Sequence, residues 1–410
     1  MTTITPNIQE SIIKQFPILN TEVRGRKLVY FDNGATTQKP QRVIDSLTRY
    51  YQHENSNIHR GVHCLSQRAT EKFEATRKSV KVFLGAKQEH EIIFTRGTTE
   101  GINLVAQCFG KQYIKSGDEV IISAMEHHSN IVPWQMMSEE RGAVLKTIPF
   151  HPNGELDMNT YHNLLSDKTK LVAVTHVSNT LGTINPAREI ISKAHQVGAK
   201  VLLDGAQAVA HMPIDVVDLD VDFYVFSSHK LFGPTGVGVL YGKENLLEAM
   251  PPYQGGGDMI KTVTLEKTTY NDLPHKFEAG TPHISGVIGL NEAISFVNEI
   301  GFETIYNLEE SLLQHGISEL SKIDGVEFFG TARHKASLIS FNLKGAHPFD
   351  VGTILDQLSI AVRTGHHCTQ PIMDYYQIPG TVRASFALYN TTEEIDKLAE
   401  GLRKASRMLL

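Results

Sequence analysis

The sequence predicts an α/β protein, with a large domain on a mostly parallel sheet flanked by helices and a smaller α+β domain after it. Three observations lead there. The 410 residues exceed one small module and leave room for two or three domains. Between Ser66 and Lys261, short apolar runs alternate with amphipathic helical patterns. Such runs suit strands buried on both faces, as a parallel sheet between two helical layers requires. Around 251–282 that rhythm breaks, and long helical patterns with few strands follow.

The elements can be taken in order. The segment to Pro17 reads as a peripheral helix, and Leu28–Phe31 as a short strand closed by the turn chemistry of Asp32-Asn-Gly34. Gln41–Tyr51 places Val43, Ile44, Leu47 and Tyr51 at helical spacing. Helix Ser66–Leu84 then leads into strand Glu91–Thr95, and helix Thr99–Phe109 into strand Glu119–Ser123. Helix Asn130–Arg141, extended Val144–Pro149, strand Lys170–His176, helix Ala187–Val197 and strand Lys200–Leu203 continue the alternation. Asp222–Phe226 and Gly238–Tyr241 end it. Pro251-Pro252, Gly255-Gly-Gly257 and a polar extended stretch to Pro282 read as a long functional excursion. Helices Val287–Ile300 and Ile305–Leu320 follow, then strands Ser337–Leu343, Ile360–Thr364 and Val382–Tyr389, with helices Asp350–Leu358 and Thr392–Leu409. The division expected is 1–25 as an N-terminal segment packing on the small domain, 26–285 as the large domain and 286–410 as the small one.

Composition excludes several classes. The formal charge of −6 carries no basic excess of the kind nucleic-acid surfaces show. No apolar run reaches the roughly 18 residues of a membrane span. The first twenty residues lack a basic stretch followed by an apolar core, so no secretory signal is read, and the few unpaired cysteines make a reducing cytoplasm the expected compartment. Three cysteines, an odd number without CxxC pairing, argue against a disulfide framework and a zinc ribbon.

Chemistry gathers at strand ends. Asp222–Lys230 runs from an apolar strand into Ser-Ser-His-Lys, and a lysine at the carboxyl end of a core strand is where open α/β sheets place ligand groups. A single lysine is ordinarily a solvated surface cation, so its company decides. Asp204 ends the strand Lys200–Leu203, where a carboxylate needs a partner, although capping a helix would satisfy it equally. Phe94–Glu100 opens a helix with Arg-Gly-Thr-Thr, whose N–H groups make a phosphate cradle or a plain cap. Lysine, acid and cradle together suit pyridoxal phosphate. A nicotinamide site would require GxGxxG after the first strand, and that motif is missing there.

With these residues assembled, the motifs Asp204-Gly-Ala-Gln207 and Ser227-Ser-His-Lys-Leu-Phe-Gly-Pro-Thr-Gly236 resemble the class V aminotransferase family, fold type I of the pyridoxal phosphate enzymes. Arg96–Asn103, Glu126–Trp134, His176-Val-Ser-Asn179 and Arg363–Cys368 narrow the resemblance to the SUF-system cysteine desulfurases, SufS type, from about Tyr30 to the C-terminus. The resemblance implies that Lys230 holds the cofactor and moves protons at the substrate Cα. It also implies that Asp204 keeps the pyridine nitrogen protonated and that Gln207 donates to the ring oxygen. His127 would stack on the ring and take part in acid–base steps, while Thr99, Ser227 and His229 would bind the phosphate. Thr281 would reach the phosphate of a neighbouring subunit, which implies a homodimer with shared active sites. Asn179 and Arg383 would clamp the substrate carboxylate, with His59 and Arg363 lining the same pocket.

Cys368 is the discriminating residue. A lone cysteine is ordinarily a small buried hydrophobe, and Cys64 and Cys108 are read so. Cys368 stands instead among Arg363, His366, His367, Thr369 and Gln370, and nearby cations favour a thiolate. Three consecutive residues, His366-His367-Cys368, are poorly arranged to share one tetrahedral zinc, and no metal site is expected. The implied reaction carries L-cysteine to L-alanine, leaves the sulfur on Cys368 as a persulfide and serves iron–sulfur cluster assembly. Where some relatives carry a histidine that swaps onto a zinc-bearing SufU-type acceptor, this chain has Phe349, with His347 two residues away. A SufE-type sulfur acceptor is therefore the expected partner. Alternatives are a selenocysteine lyase, another class V reaction such as transamination, and a sulfur-carrier scaffold without turnover. The set Lys230, Asp204 and Gln207 speaks against the last.

Overall fold

The computed structural model describes residues 6–410. Seven strands form the central sheet: β1 (Ile92–Thr95), β2 (Glu119–Ser123), β3 (Val144–Ile148), β4 (Thr169–Thr175), β5 (Lys200–Asp204), β6 (Phe223–Ser227) and β7 (Gly238–Gly242). Their spatial order is β1-β7-β6-β5-β4-β2-β3. The five strands from β6 to β3 pair in parallel, and only β7 runs against its neighbours. Alternation along each strand divides the core in two. Val172, Val201, Leu203 and Phe226 face one helical layer, while Leu171, Ala173, Leu202 and Val225 face the other with Leu104, Trp134 and Phe109. The doubly wound reading of the sequence holds.

The C-terminal unit is an antiparallel sheet of Val326–Phe329, Leu338–Leu343, Thr381–Ser385 and Arg363–Gly365, in that order. The single strand expected at Ile360–Thr364 splits, because Ile360–Ala361 pairs in parallel with Val29–Tyr30 instead. Val29 and Phe31 accordingly pack in the same core as Leu312, Phe341 and Leu402. Strand Val326–Phe329 and helices Met158–Leu164, Glu244–Ala249 and Gln370–Tyr376 are additions to the elements read from the sequence. The polar excursion holds an exposed hairpin, Ile260–Val263 with Thr268–Tyr270.

Two expectations are corrected. The N-terminal helix Pro6–Ile13 is followed by Phe16, which is not peripheral but fully buried. Its ring meets those of Phe232, Phe296 and Tyr389 at 4.5–6.0 Å, joining the lysine-bearing loop to the C-terminal unit. Cys64, read as a packing residue, is exposed at the first position of helix Cys64–Leu84, whereas Cys108 is buried.

Helix Cys64–Leu84 also buries a charge. Arg77 gives Nη1 and Nη2 to Glu278 at 2.8 and 2.9 Å, Nε to Glu74 at 2.8 Å, and lies 4.6 Å over the Phe94 ring. Glu278 Oε1 also accepts from the Phe94 N–H at 2.7 Å. Arg77 thus fastens the helix to β1 and to the segment that leads to Thr281. Arg77→Leu strands two carboxylates and is expected to destabilise the fold by about 3–5 kcal/mol, read as a lowered denaturation midpoint. A midpoint equal to wild type would show the network to be idle.

Candidate active site

The carboxyl ends of β4, β5 and β6 meet the start of helix Thr98–Tyr113 over a cavity of about 230 Å³. That edge is where open α/β sheets bind ligands. The C-terminal unit closes the cavity with Arg363, Cys368 and Arg383. Eleven of the thirteen residues singled out in the sequence line it: Thr99, His127, Asn179, Asp204, Gln207, Ser227, His229, Lys230, Arg363, Cys368 and Arg383.

At one end, the Thr98 N–H and hydroxyl bond the Ser227 hydroxyl at 2.8 and 2.7 Å, tying the helix start to the end of β6. Gly97 precedes the helix, and Gly238 lies so close that a Cβ there would sit 2.4 Å from the Gly97 Cα. Only glycine lets strand and helix start approach this way. The free N–H groups of a first turn, at the positive end of the helix dipole, suit a phosphate.

At the cavity floor, burial brings Lys230 down to about 8, against the opposing pull of Asp204. Asp204 is buried, and burial raises its pKa even though it accepts from Ala206 N–H at 2.9 Å. A carboxylate in that state needs a cation or a protonated ring nitrogen beside it. Burial, then Lys230, brings His127 down to about 4. Its Nδ1 accepts from Ser129 N–H at 3.1 Å, so the neutral ring carries its proton on Nε2. Burial likewise lowers His229 to about 4. Gln207 donates to the Gly34 carbonyl at 2.6 Å.

At the opposite end stands Arg383, fully buried, its guanidinium held by Asp32 Oδ1 at 3.3 Å and the Asn179 carbonyl at 2.8 Å. Its Nε is buried without a partner, an open donor beside the cavity. Arg363 bonds Asp32 as well, at 3.1 Å. Asp32, read in the sequence only as a turn residue, therefore orients both arginines. A Cβ on Gly34 would lie 3.1 Å from the Arg383 guanidinium, so a side chain there would push the guanidinium aside by a few tenths of an ångström. Two paired guanidinium groups around an open donor suit a small carboxylate.

Cys368 lies on the loop between strand Arg363–Gly365 and helix Gln370–Tyr376. It is exposed, and both it and His367 adopt left-handed backbone, with φ of 59° and 52°. The Asn179 amide holds the His367 carbonyl at 2.8 Å, and the buried hydroxyls of Thr180 and Thr369 meet at 2.7 Å. The His367 ring turns to Thr381 at 2.8 Å, away from any ligand set shared with Cys368. Among the described residues, the one cluster with metal-ligand spacing is His315, Glu319 and Asp396, on helices outside this cavity.

Two predicted residues lie elsewhere. Thr281 lines a separate cavity of about 600 Å³ with Glu278 and His283. His59 bonds Glu74 at 2.9 Å and packs against Phe73 and His275. Besides Asp32, sequence reading missed Glu126, which is fully buried and fixes the turn before His127. Its carboxyl accepts from Asn130 at 2.6 Å and from Thr175 N–H at 2.9 Å.

The donor set fits pyridoxal phosphate: a phosphate cradle at Thr99 and Ser227, an amine at Lys230, a buried acid at Asp204 and a flat imidazole at His127. Known proteins agree. The family described as aminotransferase class V matches residues 29–398. A protein named cysteine desulfurase from Synechococcus elongatus is 54% identical over 95% of this chain, and the chain spans 62% of that relative's length. One of the same name from Escherichia coli O8 is 51% identical over 98% of both chains. A solved cysteine desulfurase from Thermococcus onnurineus superposes with a TM-score of 0.93 at 39% identity, each chain covered in full. The chain belongs to the class V aminotransferase family.

Proposed function

We propose that this chain is a pyridoxal phosphate-dependent cysteine desulfurase, which turns L-cysteine into L-alanine and takes the sulfur onto Cys368. One observation carries the reading: a free thiol faces the same cavity as the lysine, the buried acid and the carboxylate-binding arginines. The names borne by relatives about half identical over most of this chain support it.

When bound, pyridoxal phosphate supplies a carbonyl for amine exchange and a ring that withdraws electrons from the substrate Cα. Thr99, Ser227 and His229 would hold its phosphate, and Asp204 would pair with its ring nitrogen. Arg383, oriented by Asp32 and Asn179, takes the substrate carboxylate and aims the side chain toward Cys368. Lys230 collects and returns the proton at Cα. The Cys368 thiolate attacks the substrate sulfur, and the C–S bond breaks with its electron pair going to Cβ. A proton delivered there completes alanine, and the persulfide stays on Cys368. Placement within one cavity does most of this work.

Thr281 reaches the cofactor phosphate of a second copy in a homodimer with shared active sites. The sulfur then passes to a SufE-type acceptor for iron–sulfur cluster assembly. Phe349, exposed at the start of helix Pro348–Gln357, offers no metal ligand, and the Nδ1 of the nearby His347 accepts from the Phe349 N–H in capping that helix, which leaves Nε2 as the one imidazole nitrogen there without a partner. The phenylalanine favours the SufE-type acceptor over a zinc-bearing one.

The test is product analysis. L-Cysteine should give alanine, with a mass gain of one sulfur atom on the Cys368 peptide. A SufE-type acceptor should raise turnover more than a zinc-bearing one. A keto acid as the main product would replace the reading with transamination.

A further inference from the structure

We propose that His128 is a positioning residue for the nucleophile, its backbone N–H and its neutral imidazole holding the loop at the Cys368 carbonyl and two residues beyond it. The inference rests on the desulfurase reading of the cavity. The His128 N–H donates to the Cys368 carbonyl at 2.7 Å, and His128 Nε2 accepts from Gln370 N–H at 3.1 Å. One residue thus clasps the thiol-bearing backbone at two points.

The loop needs such a clasp. Two consecutive non-glycine residues in left-handed backbone persist only where their surroundings over-determine them. The other ties, from the Asn179 amide to the His367 carbonyl and between the Thr180 and Thr369 hydroxyls, are made by groups that do not titrate near neutrality. The His128 ring titrates. It accepts from Gln370 only while Nε2 is unprotonated. Burial, and then His366, lower its pKa, so the clasp is closed above that pKa and opens as pH falls through it. The titratable groups facing it are His127, with ring centroids 6.3 Å apart, His366 and Cys368.

Two variants test this. Glutamine can place Oε1 near the position of Nε2, accepts a hydrogen bond and does not titrate; alanine cannot accept. His128→Ala should lower kcat for alanine formation about tenfold, the scale of one lost hydrogen bond, with KM within about twofold. Amide hydrogen exchange at Gln370 should speed up in parallel. His128→Gln should restore both. The ratio of wild-type to His128→Gln turnover should fall with decreasing pH, since every shared titrating group cancels in it. Unchanged kcat and exchange in His128→Ala overturn the proposal. So does a glutamine variant no better than alanine, or a ratio flat with pH. A wild type that makes no alanine overturns the desulfurase reading instead, while exchange at Gln370 still reports on the clasp. If His128→Ala fails to fold, the glutamine ratio decides.

Discussion

Lys230→Ala is expected to cut alanine formation from L-cysteine roughly a thousandfold or more, the scale of losing a positioned acid–base group. Borohydride should no longer fix pyridoxal phosphate to the chain, as read by intact mass. Lys230 follows β6 directly, its amine faces the cavity, and burial holds its pKa near 8, so the neutral, reactive fraction grows as pH rises through that value. A second lysine supplies a sharp control. Burial lowers Lys39 as well, to about 7. Its ammonium is committed to the carbonyls of His229, at 2.9 Å, and Thr37, behind the loop rather than in the cavity. Cofactor still fixed to the chain in Lys230→Ala would shift the assignment to Lys39.

Cys368→Ala should lose desulfuration of cysteine by roughly a hundredfold, about 2.7 kcal/mol at 1.36 kcal/mol per decade, while cofactor attachment stays intact. The substitution is clean, because alanine carries the same Cβ into the same left-handed backbone and only the sulfur goes. Selenocysteine should be spared relative to cysteine, since the weaker carbon–selenium bond has less need of a nucleophile. Cysteine turned over at the wild-type rate would remove Cys368 from the reaction. Equal losses on both amino acids would show that the thiol positions the substrate rather than accepting its sulfur.

Much of the fold and of the cavity is legible in the amino-acid order. Apolar runs locate the strand ends, so Asp204 and Lys230 stand out by position alone, and the cradle at Thr98–Thr99 follows from the helix start. What escapes such reading is held together by distant segments. Asp32 looks like a turn residue because Arg363 and Arg383 lie more than 330 positions away. His128 looks like a duplicate of His127 until the Cys368 loop folds back on it. Phe16 reads as peripheral because nothing near it in sequence shows where its ring goes. Ile360–Thr364 reads as one strand, and only the presence of Val29–Tyr30 divides it. Thr281 and His59 lie outside the cavity because Thr281 lines a separate one and His59 is held by Glu74, contacts that their neighbours in the chain do not reveal.

The left-handed pair at 367 and 368 also bears on protein engineering. Such positions cost on the order of 1–3 kcal/mol each in non-glycine residues, and a stabilisation programme would offer glycine at both. The offer is a trap at 368, where it deletes the thiol. At 367 it removes the imidazole that anchors the loop to Thr381. Heat tolerance gained there would come at the expense of the loop's aim, so a search for hardier variants does better to begin at Arg24 or Asp220, left-handed residues remote from the cavity.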